Sequence, residues 1–312
     1  MADFNNVAVL GTGTLGSQII MQAAYAGKNV AAYDISDEVL AKLPDRWEWM
    51  RGFYRNDLED FTEEKFDEAI ARITPTTDLK AATENADIVI ESVPENIDLK
   101  HKVYKELSGY VSDDCIVATN SSYLLPSEMA PAVEKPERFG ALHFANKVWK
   151  GNNGEIMGCD STAPETLDAI EQFAKEINLR PFRVLKEVRG YILNAQLVPL
   201  LRNAVTLYAN GVASYEDIND SFKVALQYPT GMIEVADTVG FPLLAYAWAN
   251  EEDPKLREWA AAAGEAVKAG KGGLGDGEGF YKYDEQGNVV GKGTAFPDVW
   301  GEYELSIAGA GR

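Results

Sequence analysis

The chain has 312 residues, a formal net charge of −20, 46% apolar residues and 25% charged residues. This is room for one large domain or two moderate ones, with the composition of a soluble globular protein. The acidity argues against nucleic acid or an anionic membrane as a partner, and an anionic ligand would need a local cation or helix terminus.

The start, MADFNNVAVLG, enters a strand almost at once and shows neither a basic nor an apolar leader segment. No later run approaches the roughly 18 apolar residues of a membrane span. A cytoplasmic protein without a cleaved leader is therefore expected. In chain order, five short apolar runs read as strands: 7–11, 29–34, 86–92, 115–120 and 138–144. Each is rich in Val, Ile or Ala, as suits strands buried on both faces of a parallel sheet. Helical patterns separate them, as in IDLKHKVYKEL, where Leu99, Val103 and Leu107 share one face. Residues 35–75 are longer and more polar than a simple crossover needs, and predict a helical excursion. Runs at 154–159 and 180–185, flanking a helix at 163–178, extend the sheet. Cys115 and Cys159 both fall in these apolar runs. They give no disulfide framework and no metal-ligand spacing, so no metal is expected.

After residue 186 the strand signals stop. A long amphipathic helix ends at Gly211, and helices follow at 214–227, 231–250 and 253–269. The glycine-rich segment 270–280 predicts a loop, and the tail beyond 284 shows no periodicity. The expected fold is α/β: a Rossmann-type doubly wound, mainly parallel sheet over 1–186, an all-helical domain over 187–284, and a loosely packed tail over 285–312.

The first βα turn reads GTGTLG over residues 11–16. Gly11 permits the tight turn, Gly13 admits a pyrophosphate to the backbone, and Gly16 lets helix and strand pack closely. The helix start at Thr14 and Leu15 offers amides to phosphate. Asp34 ends the second strand about 20 residues on, where an acid binds a ribose 2′-hydroxyl and repels a 2′-phosphate. NAD is the expected cofactor.

Oxidising a hydroxyl with NAD calls for a base near neutral pH, and the chain has two histidines. His101 lies in a charged helix and reads as solvent-facing. His143 ends a sheet strand, where ligands of open α/β sheets sit. Asn120, Ser121 and Ser122 follow another strand at the same edge. Glu155 lies in the next β run, and Asn194 in the first turns of the long helix. Ser121 and Ser122 equally suit a helix cap, Glu155 a surface carboxylate, and Asn194 an interhelical polar contact.

VLGTGTLGSQI, ESVPENIDLK, ATNSS, LHFAN followed by Glu155, RGYILNAQLVPLL and GEGFYKY occur in order from Gly11 to Tyr283. Together they resemble the short-chain L-3-hydroxyacyl-CoA dehydrogenases, including bacterial 3-hydroxybutyryl-CoA dehydrogenases. The resemblance implies that His143 is the general acid/base and Glu155 its partner. It implies that Ser122 and Asn194 bind the substrate 3-oxygen, and that Glu95, Lys100 and Asn120 lie near the nicotinamide half of NAD. It further implies an acyl-CoA substrate and a homodimer through the helical domain. The excursion would meet CoA, with Arg46, Arg51 and Arg55 for phosphates and Trp47, Trp49, Phe53 and Tyr54 for adenine; those aromatics equally suit a helix's apolar face. The sequence departs from the family pattern at Lys147, where His-Phe-x-Asn is followed by proline, and at Met232, where Pro-x-Gly is followed by proline. The ESVPENIDLK segment also resembles a branch acting on free sugar acids, which includes crystallin-like lens proteins. A free 3-hydroxy acid or sugar acid is thus the alternative substrate, and a catalytically idle NAD-binding protein the third possibility.

Overall fold

The structure, a computed structural model, describes residues 4–301. It divides after Ala195 into two compact units. Residues 302–312 of the expected tail, and 1–3 of the first domain, lie outside the described residues.

The first unit is built on one eight-stranded sheet. Its strands are β1 Asn6–Leu10, β2 Asn29–Tyr33, β3 Ile73–Thr76, β4 Ile88–Glu91, β5 Ile116–Thr119, β6 Phe139–Phe144, β7 Asn153–Met157 and β8 Arg180–Val184. The spatial order is β3-β2-β1-β4-β5-β6-β7-β8. Every neighbouring pair is parallel except β6 and β7. Chain order reverses between β1 and β4, the switch point at which such sheets bind ligands. Alternate side chains cover opposite faces. In β1, Val7 and Val9 join one apolar cluster with Ile19, Trp47 and Tyr54. Ala8 and Leu10 join another with Tyr104, Leu107 and Phe139.

Seven strands match the apolar runs, whereas β3 is an addition. Its sequence, Ile-Thr-Pro-Thr, carries a proline, which a sheet accepts at an edge where one N–H row is unpaired. The excursion contains helices Asp37–Leu40, Leu43–Asp57 and Glu63–Ala71. Trp47, Met50, Tyr54 and Phe66 are all buried in the sheet-covering core. The Tyr54 hydroxyl donates to Gln22 Oε1 at 2.9 Å.

The second unit is helical, with segments Tyr215–Leu226, Met232–Val239, Phe241–Trp248 and Pro254–Lys268 following the helix Leu193–Ala209. The single helix expected over 231–250 is two. Gly240, at φ 89°, breaks it, and Pro242 starts the next segment. The tail is not loose where it is described. Its strand β10 Val289–Lys292 forms an antiparallel ribbon with β9 Tyr281–Tyr283, which lies within the span expected to be all-helical, and Phe296 is buried with Tyr208, Trp259 and Phe280. Asp237 secures the glycine-rich approach to this ribbon, accepting from the Phe280 and Tyr281 amides and the Tyr283 hydroxyl at 2.8 to 2.9 Å. Burial pushes its carboxyl up to about 6.

Candidate active site

The carboxyl ends of β1, β4, β5 and β6 bring the predicted residues to one edge of the sheet. At β1, Gly11 has φ 99°, and a Cβ there would stand 2.5 Å from the Ser92 carbonyl oxygen. A Cβ on Gly16 would stand 2.0 Å from the Gly11 carbonyl oxygen, so helix and turn fit only without side chains. Gly13 differs: nothing lies within 4 Å of a Cβ placed there. It caps the helix Thr14–Tyr25 with no side-chain hydrogen bond, leaving the first-turn amides open to an anion. Thr14 is exposed and Leu15 half-buried beside them. Asp34 Oδ2 accepts from the Thr12 amide and hydroxyl, both at 2.8 Å, tying the acid of β2 to the glycine turn. This cradle and carboxylate fit NAD.

Arg46 lies in the same place. Its guanidinium donates to the Thr12 carbonyl at 2.7 Å and to Ser17 Oγ at 3.3 Å. Each of the three arginines expected near CoA has a partner within the chain. Arg46 serves the glycine turn. Arg51 is bound by Glu48, Glu63 and Asp67, and Arg55 by Glu63. Of the excursion aromatics, Trp47 and Tyr54 are core, and only Trp49 is largely exposed. Of Arg51's partners only Glu48, three residues back on the same helix, is legible in the sequence; Glu63 and Asp67 lie 12 and 16 residues on, on the next helix.

Between β4 and β5 a buried polar cluster organises the edge. Glu91 and Lys100 are 0% and 1% exposed and pair at 2.6 Å. Glu91 also accepts from Tyr104 Oη at 2.6 Å, Thr119 Oγ1 at 2.8 Å and the Val93 amide at 2.8 Å. The Lys100 ammonium thus turns inward, 3.7 Å from Glu95, and presents almost no surface to a ligand. Glu95 accepts from Ser121 Oγ and the Tyr123 and Leu124 amides. Burial works to raise its carboxyl, but these bonds and Lys100 hold it below the usual carboxylate range. Asn120 braces three strand ends, donating to Ser92 Oγ at 3.2 Å and accepting from the Phe144 amide at 3.1 Å. Glu91 escaped the sequence reading because an acid ending an apolar run looks like a boundary marker.

His143 and Glu155 are direct cross-strand partners in the antiparallel β6–β7 ladder. Both are buried, and His143 Nδ1 lies 2.9 Å from Glu155 Oε2. A carboxylate only accepts, so Nδ1 carries a proton, and in the neutral imidazole Nε2 keeps its lone pair. Nε2 lies 3.2 Å from Ser122 Oγ. Glu155 Oε1 accepts from the Ile192 and Leu193 amides at 2.9 and 2.8 Å, at the start of the helix Leu193–Ala209. Burial works to raise Glu155, but the His143 bond and these amides hold it below its ordinary value. The array can take a proton at Nε2 and stabilise the resulting cation.

Asn194 is the second residue of that helix and is half-buried. Among the described residues no hydrogen bond links it to His143. His101 is half-buried rather than solvent-facing, with Nε2 2.7 Å from the Glu128 carbonyl. Tyr191, unremarked in the sequence, stacks on the His143 ring with centroids 4.5 Å apart and planes 14° from parallel.

A family model described as 3-hydroxyacyl-CoA dehydrogenase, NAD binding domain, matches residues 6–188. Its companion, 3-hydroxyacyl-CoA dehydrogenase, C-terminal domain, matches residues 190–283. The chain belongs to the 3-hydroxyacyl-CoA dehydrogenase family. As a member it is an NAD-dependent dehydrogenase. The mitochondrial hydroxyacyl-coenzyme A dehydrogenase of Sus scrofa is 31% identical over 294 residues, covering 89% of this chain and 91% of that protein. The 3-hydroxybutyryl-CoA dehydrogenase of Clostridioides difficile is 30% identical over 249 residues, covering 76% and 84%. A solved diketoreductase, reported for substrate-directed dual catalysis of dicarbonyl compounds, is 40% identical with a TM-score of 0.84, covering 91% of this chain and 100% of that one.

Proposed function

We propose that this chain interconverts a short-chain L-3-hydroxyacyl-CoA, such as 3-hydroxybutyryl-CoA, and its 3-oxo counterpart. The observation that carries the proposal is the Ser122–His143–Glu155 array, with its histidine and glutamate buried, at the sheet edge that also holds the dinucleotide turn. NAD, when bound, supplies the hydride acceptor or donor. His143 Nε2 takes the proton of the 3-hydroxyl in oxidation and returns it in reduction. Glu155, ionised through neutral pH, stabilises the imidazolium. Ser122 and Asn194 hydrogen-bond the 3-oxygen and hold C3 in line. Glu95 and Asn120 shape the nicotinamide side, with Lys100 acting on it through Glu95. The same reading makes the protein a cytoplasmic homodimer joined through its helical unit; exposed Val224, Leu226, Tyr228, Leu243 and Tyr246 on that unit support the interface.

A second substrate class has its own support. Arg51 and Arg55 already pair with carboxylates, so a CoA phosphate would have to displace Glu63 or Asp67 to reach them. Lys147 sits at φ 58°, a conformation closed to proline, and its amide donates to Gln18 Oε1 at 2.8 Å. The loop beyond His143 therefore follows a path that a proline would forbid. Together with the 40% identity to the diketoreductase, this favours a free 3-oxo acid or dicarbonyl compound.

NADH oxidation with acetoacetyl-CoA, acetoacetate and an uncharged dicarbonyl compound separates these readings. Turnover of the thioester at a kcat/KM at least tenfold above the others is the expected result. Preference for the free compounds overturns the CoA assignment. NADH binding without any turnover would favour the idle protein for these substrates. Arg46→Ala is expected to weaken NADH binding several-fold in a fluorescence titration, because the cation beside the pyrophosphate cradle is lost. An unchanged affinity would limit Arg46 to bracing the turn.

A further inference from the structure

Tyr191 is a non-glycine residue at φ 54°, following Gly190 at φ 80°. A bulky side chain rarely adopts this left-handed geometry, so the surrounding structure must impose it. The geometry does two things at once. It lays the Tyr191 ring flat on the His143 imidazole, and it turns the next two amides, of Ile192 and Leu193, toward Glu155 Oε1. Three consecutive residues thus grip both members of the histidine–carboxylate pair.

The hydrogen bonds alone do not fix the imidazole. Glu155 and Ser122 hold its two nitrogens in the ring plane but allow rocking about the line that joins them. A face contact at 4.5 Å removes that freedom. The Tyr191 hydroxyl is buried and has no hydrogen-bond partner among the described residues, so nothing in the stack depends on it. Burial, with Glu95, Glu155, Glu91 and Glu187 around it, drives the phenol far above its ordinary range. The ring therefore stays neutral against the histidine.

We propose that Tyr191 is a positioning residue whose ring fixes the plane of His143, so that Nδ1 meets Glu155 while Nε2 faces the reacting oxygen. This rests on the reading of His143 as the acid/base group. Two substitutions separate ring from backbone: Tyr191→Phe keeps the ring, and Tyr191→Asn tolerates left-handed geometry but removes it. The Phe variant is expected to keep kcat within about twofold. The Asn variant is expected to lose about 10- to 100-fold in kcat, with KM and NADH affinity within about threefold. Full kcat in the Asn variant, or an equal loss in both, overturns the proposal. A readout independent of turnover is available, because the chain has only two histidines. In proton NMR spectra of the intact protein, assigned with His101→Gln, the His143 ring resonances should be shifted upfield by the stacked ring. The shift should persist in the Phe variant and vanish in the Asn variant; its absence from the unsubstituted protein overturns the stack even if no substrate is found.

Discussion

His143→Gln is expected to lower kcat by about 10³-fold while leaving NADH affinity unchanged, which is about 4 kcal/mol of lost transition-state stabilisation. Glutamine keeps most of the length and volume and places an amide near the Nε2 position, although the 2.9 Å bond from Nδ1 to Glu155 is lost with the ring. What it lacks is a site that accepts a proton near neutral pH. Glu155→Gln should cost less, about 10- to 100-fold, because the imidazole remains but its tautomer and cation lose their partner. The two losses should not add in the double variant, since both act through one proton transfer. NADH absorbance gives the rates, and NADH fluorescence gives the affinity. More than a tenth of the original kcat in His143→Gln would remove His143 from the chemistry.

Lys100→Met is expected to have the largest effect on stability. It leaves the fully buried Glu91 carboxylate without its ammonium, with only Tyr104, Thr119 and the Val93 amide as donors. Breaking one side of a buried pair costs about 3–5 kcal/mol. For a protein of this size that is a fall of roughly 10 °C in Tm. Removing the stranded charge as well, in Glu91→Gln/Lys100→Met, should recover much of the loss. Thermal unfolding followed by circular dichroism checks both. An unchanged Tm with weakened NADH binding would instead make Lys100 a direct cofactor ligand, as the sequence resemblance implies.

The sheet was legible wherever a strand was buried on both faces, because such strands are continuous apolar runs. β3 was not, since none of its four residues is buried and only Ile73 is strongly apolar; the other edge strand, β8, was readable despite Pro181 because Phe182, Val184 and Leu185 carry an apolar run. The glycine turn, Asp34, Ser122, His143 and Glu155 were readable from motif order, because each sits at a strand end or on a strand. The roles of Arg46, Glu91 and Lys100 were not. A charged side chain's partner depends on which elements lie beside it, and the contact of Arg46 with Thr12 spans 34 residues. Tyr191 was hidden for a different reason: its ring reaches His143 through a left-handed backbone angle, which composition does not encode.

The antiparallel pairing of β6 with β7 has a consequence for how this enzyme can diversify. His143 and Glu155 face each other through the ladder, and the connection between their strands, residues 145–152, takes no part in that alignment. Insertions or replacements within the connection can therefore reshape what enters the site while the pair stays in register, provided the strands keep their pairing. Grafting alternative 145–152 segments that keep the buried Val148 and Trp149 is expected to change substrate preference while His143 and Glu155 stay paired.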